Sequence, residues 1–237
     1  MYFSNIKNVI IDVDGSGNRD LLKNLTSKAK VSDALIDNAG FYQTITVIDG
    51  ERPDHLSKRL YGTEQYHWTF LLLNPQIKNI WDDWPMNSSQ LIEYCTNKYQ
   101  YLAADTNDSL VDKFVLNETV QGQVSGAIGI IKEVHVNMGY VVIEKISGTF
   151  TITGETIYGI NSQDSIACNF IKSQAYAPHH HVDDSTGEWV KRRTAGTTAY
   201  TYIDYESAVT EQNRNVKVIK PSNIRDISRQ FIKVMGG

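Results

Sequence analysis

YQTITVIDGERPDHLSKRLYGTEQYHWTFLLLN, running from Tyr42 to Asn74, is the stretch whose reading decides the fold. Tyr42, Thr44, Thr46 and Ile48 alternate as they would along a strand, Asp49-Gly50 marks a turn, and two short helices separated at Gly62 follow. Pro53 suits a first helical turn, because the amide it lacks would have had no partner inside the helix. Leu56, Leu60 and Tyr61 make one apolar stripe on the first helix. Thr63 is the expected cap of the second, where Tyr66, Phe70 and Leu73 line one side and Trp68, Leu71 and Leu72 cover much of the rest. A helix apolar nearly all round must be buried on several sides. The unit is therefore expected to be the heart of a core or a docking surface.

Upstream, residues 1–40 read as an arm: IKNVIIDV (residues 6–13) as a strand, DGSGN as a turn, and residues 19–37 with a periodicity that fits helix or strand equally. Asp12, Asp14 and Ser16 imitate the first motif of haloacid-dehalogenase-like phosphatases and, with Gly17 and Asn18, a calcium loop. The phosphatase reading lacks its later Ser or Thr, Lys and acidic pair, and the calcium loop has Lys23 where Glu is needed. A plain strand and turn is the simpler expectation.

Downstream, KNIWDDWP forms a Pro-bounded loop whose Trp81 and Trp84 either cap the core or anchor an interface. Residues 87–104 carry Leu91, Ile92, Cys95, Tyr99 and Leu102 at helical spacing and complete a helical region over residues 41–104. Asp105 to Ser109 reads as a linker. Residues 110–175 turn β-rich, with strands expected near 113–116, 127–136, 139–146 and 165–172 and a hairpin at Asn137-Met138-Gly139; this meander suggests a small barrel of SH3 or OB kind. Residues 176–199 read as a polar loop in which His179, His180 and His181 precede Asp183 and Asp184. At most two of these histidines point the same way, so a Zn or Ni site completed by a carboxylate and a solvated loop are the two readings. Lys191-Arg192-Arg193 is its basic side. Residues 200–237 give a strand leading into a helix, a strand stopped by Pro221, and a helix capped by Ser222 and striped by Ile224, Ile227, Phe231 and Val234.

Composition bounds the function. A hydrophobic share of 41% with 21% charged residues fits a globular protein, and a net charge of -4 with a pI near 5.9 creates no field favouring nucleic acid or anionic membrane. The apolar runs at Phe70–Leu73 and Gly126–Ile131 fall far short of the ~18 residues a membrane helix needs. Cys95 and Cys168 stand in no ligand spacing and are expected to be free thiols. The chain holds no phosphate-binding glycine loop ahead of a helix, no H-E-x-x-H and no nucleophile elbow. Its excess is aromatic: thirteen Tyr, four Trp and seven Phe, a composition suited to contact with other proteins.

GERPDHLSKRLYG followed by YHWTFLLLN resembles the baseplate wedge subunit of T-even-like contractile phage tails, the gene-53 product family, and more distantly the LysM helix pair. Tyr205-Glu206 followed by Glu211 to Pro221 is similar to the "YE…N-x-x-R-x-I-x-x-x-K-P" ending of several phage baseplate proteins. The resemblance covers roughly a quarter of the chain. It implies an α+β fold in which a LysM-like βααβ unit is closed by the carboxy-terminal strand and helix, with a small β-barrel-like module inserted and an extended amino-terminal arm. On that layout the strand at Val216–Ile219 pairs with the one at Tyr42–Ile48. The implied protein is a structural baseplate subunit, not an enzyme, without cofactor or metal. It would be made in the host cytoplasm and incorporated in the virion tail in several copies arranged in a ring. Its implied partners are other wedge proteins and the lysozyme-like sheath initiator, not nucleic acid or membrane. The interface candidates are Glu51, Arg52, Trp68, Trp81, Trp84, Arg192 and Arg193. The alternative is a LysM module binding N-acetylglucosamine chains of peptidoglycan between the Gly50–Arg52 and Asn74–Gln76 loops.

Overall fold

The computed structural model describes residues 8–12, 17, 19–23 and 40–236. In chain order the elements are β1 (Asn8–Ile11), β2 (Asp20–Lys23), β3 (Tyr42–Thr46), α1 (Pro53–Tyr61), α2 (Trp68–Leu73), α3 (Ser88–Lys98), β4 (Leu102–Thr106), β5 (Thr119–Gly122), β6 (Ile128–His135), β7 (Tyr140–Ser147), β8 (Thr156–Gly159), β9 (Ser165–Ser173), β10 (Pro178–Asp183), β11 (Trp189–Val190), β12 (Thr197–Thr201), α4 (Tyr202–Asn213), β13 (Asn215–Ile219) and α5 (Ile224–Gly236). They divide into two units, one made by the residues before Ser88 and after Val209, the other by Ser88–Val209. Among the described residues no helix is long and apolar enough to cross a membrane. Most of the Asp12–Asn18 turn lies outside the described residues, as does the segment from residue 24 to 39.

In the first unit β3 and β13 pair antiparallel, from Tyr42↔Ile219 to Thr46↔Asn215, which is the pairing expected of the tail strand. Val47, Leu56, Phe70, Ile77, Trp84, Val216 and Val218 form its core; burying each large aliphatic there contributes about 1.5–3 kcal/mol. Pro53 begins α1 and Gly62, at φ 74°, ends it in the left-handed conformation. The expected second helix is tighter at its start: Thr63 caps a 3₁₀ turn at Glu64–Tyr66 before α2 begins. Ser57, fully buried, ties the two together by donating to Thr63 O at 2.7 Å and accepting from Tyr66 N at 3.3 Å. Asn74 is consumed as a clamp. Its Nδ2 donates to Phe70 O and Lys217 O, and its Oδ1 accepts from Lys217 N at 2.8 Å, which pins β13 to the end of α2.

The second unit holds a closed barrel of six antiparallel strands in the order β4-β7-β6-β5-β8-β9. The expected barrel is present, but with a sixth strand and full closure it departs from the partly open five-stranded OB plan. The closing strand is β4, where the sequence suggested the end of a helix and a linker: α3 stops at Lys98, and Leu102–Asp105 pairs with both Ile143–Tyr140 and Ser173–Phe170. Partners on both sides override the helical propensity of its two alanines. The expected strand at 113–116 is absent, since Asp112, Phe114 and Asn117 take φ values of 57°, 62° and 66° and turn the chain repeatedly.

The barrel is internally two-fold. ETVQGQVS (Glu118–Ser125) and ETIYGINS (Glu155–Ser162) occupy equivalent positions, and β5 and β8 pair so that Val120↔Gly159 and Gly122↔Ile157 flank Gln121↔Tyr158. Each glutamate, 2% and 1% exposed, caps the other copy's loop. Glu155 accepts from Val124 N, Ser125 N, Thr151 N and the Thr151 hydroxyl, and Glu118 accepts from Val115 N, Asn161 N and Ser162 N. A Cβ at Gly122 would lie 2.9 Å from Glu155 Oε2, and one at Gly159 would lie 2.8 Å from Glu118 Oε2. Both carboxylates reach their donors only because those positions are glycine.

The supposed polar loop after the barrel is a three-stranded sheet in the order β11-β10-β12. His179 and His180 are covered by aromatic rings and His181 is buried, so the run of three is not a solvated surface.

Candidate docking surface

Glu51 sits at the start of α1 with its side chain only 8% exposed. Its carboxylate receives Arg59 Nε at 2.7 Å and Nη2 at 2.8 Å in a two-pronged pair, and Ile48 N at 3.2 Å. Burial alone would raise its pKa; the bonds from Arg59 and Ile48 outweigh that and hold the carboxyl below its usual range. The backbone carbonyl of Glu51 is also taken, by the Trp84 indole N–H at 2.7 Å. Arg52 next to it is 67% exposed and pairs with Asp54 at 3.1 Å. Such an exposed pair contributes ~1 kcal/mol at most and leaves Arg52 accessible to a partner.

The two tryptophans of the Pro-bounded loop have opposite fates. Trp84 is 6% exposed and packs on Phe70 with ring centroids 6.1 Å apart, so its expected place among interface anchors is corrected to the core. Trp81 is 83% exposed. The turn that carries it is tied at every step: Asp83 Oδ2 accepts from Lys78 N and Asn79 N at 2.8 Å, Asn79 Oδ1 accepts from Trp81 N at 3.0 Å, and Asn79 O accepts from Asp83 N at 2.8 Å. Asn213 Nδ2 then fastens Asp83 O at 2.9 Å. Trp81 is thus presented on a pre-organised backbone, which lowers the ordering cost of binding. Trp68 is half-buried against Phe231, with ring centroids 4.7 Å apart, beside a crevice of about 30 Å³ lined also by Tyr42, Leu72 and Ile227.

In the second unit Arg193 is structural. It donates to the buried Asp105 at 3.0 Å and to Thr106 O at 3.3 Å, joining the end of β4 to the segment before β12. Arg192 is exposed at the rim of an open groove of about 690 Å³ that also holds Asp108, Val111 and Val136. The carboxylates once available for a metal have other work: Asp183 accepts from Ser185 N and Thr186 N, and Asp184 from the Thr198 hydroxyl. Among the described residues no group of three metal-ligating side chains comes together.

Set beside known proteins, the chain matches no family model and no curated sequence. The candidates therefore rest on their geometry. Trp81 and Arg52 are accessible, Glu51 and Arg193 are held in ion pairs, Trp84 is core, and Trp68 shares a crevice with the last helix. Two features went unforeseen. Trp189, 65% exposed, stacks on His180 with centroids 3.9 Å apart, and nothing in its local sequence marks it. The paired barrel glutamates were readable, since E-T-[VI]-x-G-x-x-S occurs twice.

Proposed function

We propose that the protein is a structural subunit of the baseplate wedge of a contractile phage tail, which joins wedges and neighbouring baseplate proteins through protein contacts. The observation that carries the docking part of this reading is Trp81, a large aromatic held out in solvent by a turn with no slack. Exposed Ile10, Leu21 and Leu22 on the β1–β2 ribbon support it, because two strands bearing aliphatics on both faces gain little stability alone. The baseplate identity itself comes from the resemblance over Gly50–Asn74 and the tail. The order β3-α1-α2 closed by β13 supports a LysM-like unit turned to protein docking. Sugar binding is disfavoured where LysM modules bind glycans: Asn74 has spent its amide on β13, and Trp84 closes over the Glu51 carbonyl.

Trp81→Ala is expected to leave the chain's stability within about 0.5 kcal/mol, as for other exposed positions. Its association with wedge partners should weaken by ~30-fold, the loss of a hot-spot tryptophan. Urea unfolding and affinity capture on purified wedge proteins read the two quantities. Unchanged capture would remove Trp81 from the interface.

A further inference from the structure

The three histidines of β10 form a cluster that docking does not use. His179 Nδ1 lies 2.9 Å from His180 Nδ1. His180 lies between Trp189, with centroids 3.9 Å apart and planes at 23°, and Tyr200 at 4.7 Å, while His179 stacks on Tyr205 at 4.2 Å. His180 and His181 are 4% and 3% exposed, and His180 Nε2 and His181 Nδ1 have no hydrogen-bond partner among the described residues.

Neutral rings tolerate this arrangement. With its proton on Nδ1, His180 donates to His179 Nδ1 and keeps Nε2 as a bare acceptor, a tautomer that follows from the bonding pattern. A charged ring does not fit. Protonating His180 places an N–H at Nε2, which meets no acceptor among the described residues. Protonating His179 sets two N–H groups against each other at 2.9 Å unless His180 moves its own proton to that same buried Nε2. A buried donor without a partner is unfavourable, because the hydration it gives up is not replaced.

We propose that the sheet of β10, β11 and β12 is a pH-sensitive latch, in which charging the His179–His180 pair frees β11, with Trp189, from β10. The strand it frees is short, paired only through His181↔Val190 and Val182↔Trp189. Burial is the main cause holding all three imidazoles below their ordinary value of 6.5. The facing groups do not reverse it. Glu206 of α4 favours charge on His179, but already accepts from Lys98 Nζ at 2.8 Å and the Tyr99 hydroxyl at 2.5 Å. His179 and His181 oppose charge on His180, and Arg193 opposes charge on His181 more than its partner Asp105 favours it. Tyr200, Tyr202, Tyr205 and Trp189 complete the surroundings as neutral rings. With folded values depressed, the latch is closed above pH 6.5 and loses stability as pH falls below it.

Hydrogen exchange of the intact chain, corrected for intrinsic rates, tests this at about pH 7.5 and about pH 5.5, either side of an ordinary imidazole. Protection over residues 178–190 and 197–201 should fall several-fold at the lower pH, up to the ~10-fold ceiling that one imidazole ionising at 6.5 in the unfolded chain can contribute one unit below that value. Strands 119–122 and 156–159 should not change. His180→Phe, which keeps the ring stack without a titrating nitrogen, should retain protection at the lower pH. Equal protection of wild type at both values, or the same loss in His180→Phe, overturns the latch. So does an imidazole nitrogen titration of wild type that places the His180 ionisation at or above 6.5, a result independent of whether the variant folds.

Discussion

Trp84→Ala is expected to destabilise the helical unit by about 3–5 kcal/mol, the cost of truncating a core tryptophan. The indole fills the centre of the cluster with Leu56, Phe70 and Val218, and its N–H satisfies the Glu51 carbonyl at 2.7 Å. The substitution opens a cavity and strands that carbonyl together. Trp84→Phe separates the terms: it keeps most of the packing and should cost only the unmet hydrogen bond, ~1–2 kcal/mol. Urea unfolding followed by circular dichroism measures both. A loss under ~1 kcal/mol for Trp84→Ala would mean that Trp84 is a surface anchor after all, like its neighbour Trp81.

Glu155→Ala should destabilise the barrel by a comparable amount, about 3–5 kcal/mol, because it removes a buried charge and leaves its donors without a partner. Val124 N, Ser125 N and Thr151 N all point at a carboxylate that is 1% exposed. Burial by itself raises its pKa; the bonds from Ser125, Val124 and Thr151 outweigh that and hold it at about 2, below the ordinary 4.5. A depressed folded value means stability that is present above pH 4.5 and is lost as pH falls toward about 2. Glu155→Gln keeps the shape but not the charge, so it should be less stable at neutral pH and should lose that part of the acid dependence. Acid titration of wild type and Glu155→Gln, followed by far-ultraviolet circular dichroism, checks the sign. An identical acid midpoint would show that the carboxylate charge contributes nothing.

The parts of this fold that were legible are those whose signal is local or periodic. β3 alternates, α1 is bounded by Pro53 and Gly62, and the β6–β7 hairpin turns where Asn137-Met138-Gly139 marks it. What stayed hidden depends on distant partners. Leu102-Ala103-Ala104 continues a helical pattern on paper and becomes a strand because Val141–Ile143 and Ile171–Ser173 flank it. Three adjacent histidines look like surface until Tyr205 stacks on His179, Trp189 and Tyr200 enclose His180, and His181 is buried beside them. Trp81 and Trp84 are the same residue three positions apart in one loop; only the Glu51 carbonyl and the Phe70 ring decide which one turns inward. Arg192 and Arg193 divide in the same way, since a buried Asp105 claims one of them.

The proposed role is to hold proteins together within a contractile tail. Its most direct test is to mix the purified chain with purified wedge proteins and a sheath initiator of a contractile phage tail and weigh the products by native mass spectrometry. The account predicts complexes containing several copies of the chain, lost when Trp81 is replaced by alanine. A chain that ignores those proteins, yet is retained on insoluble peptidoglycan at moderate salt, would contradict it.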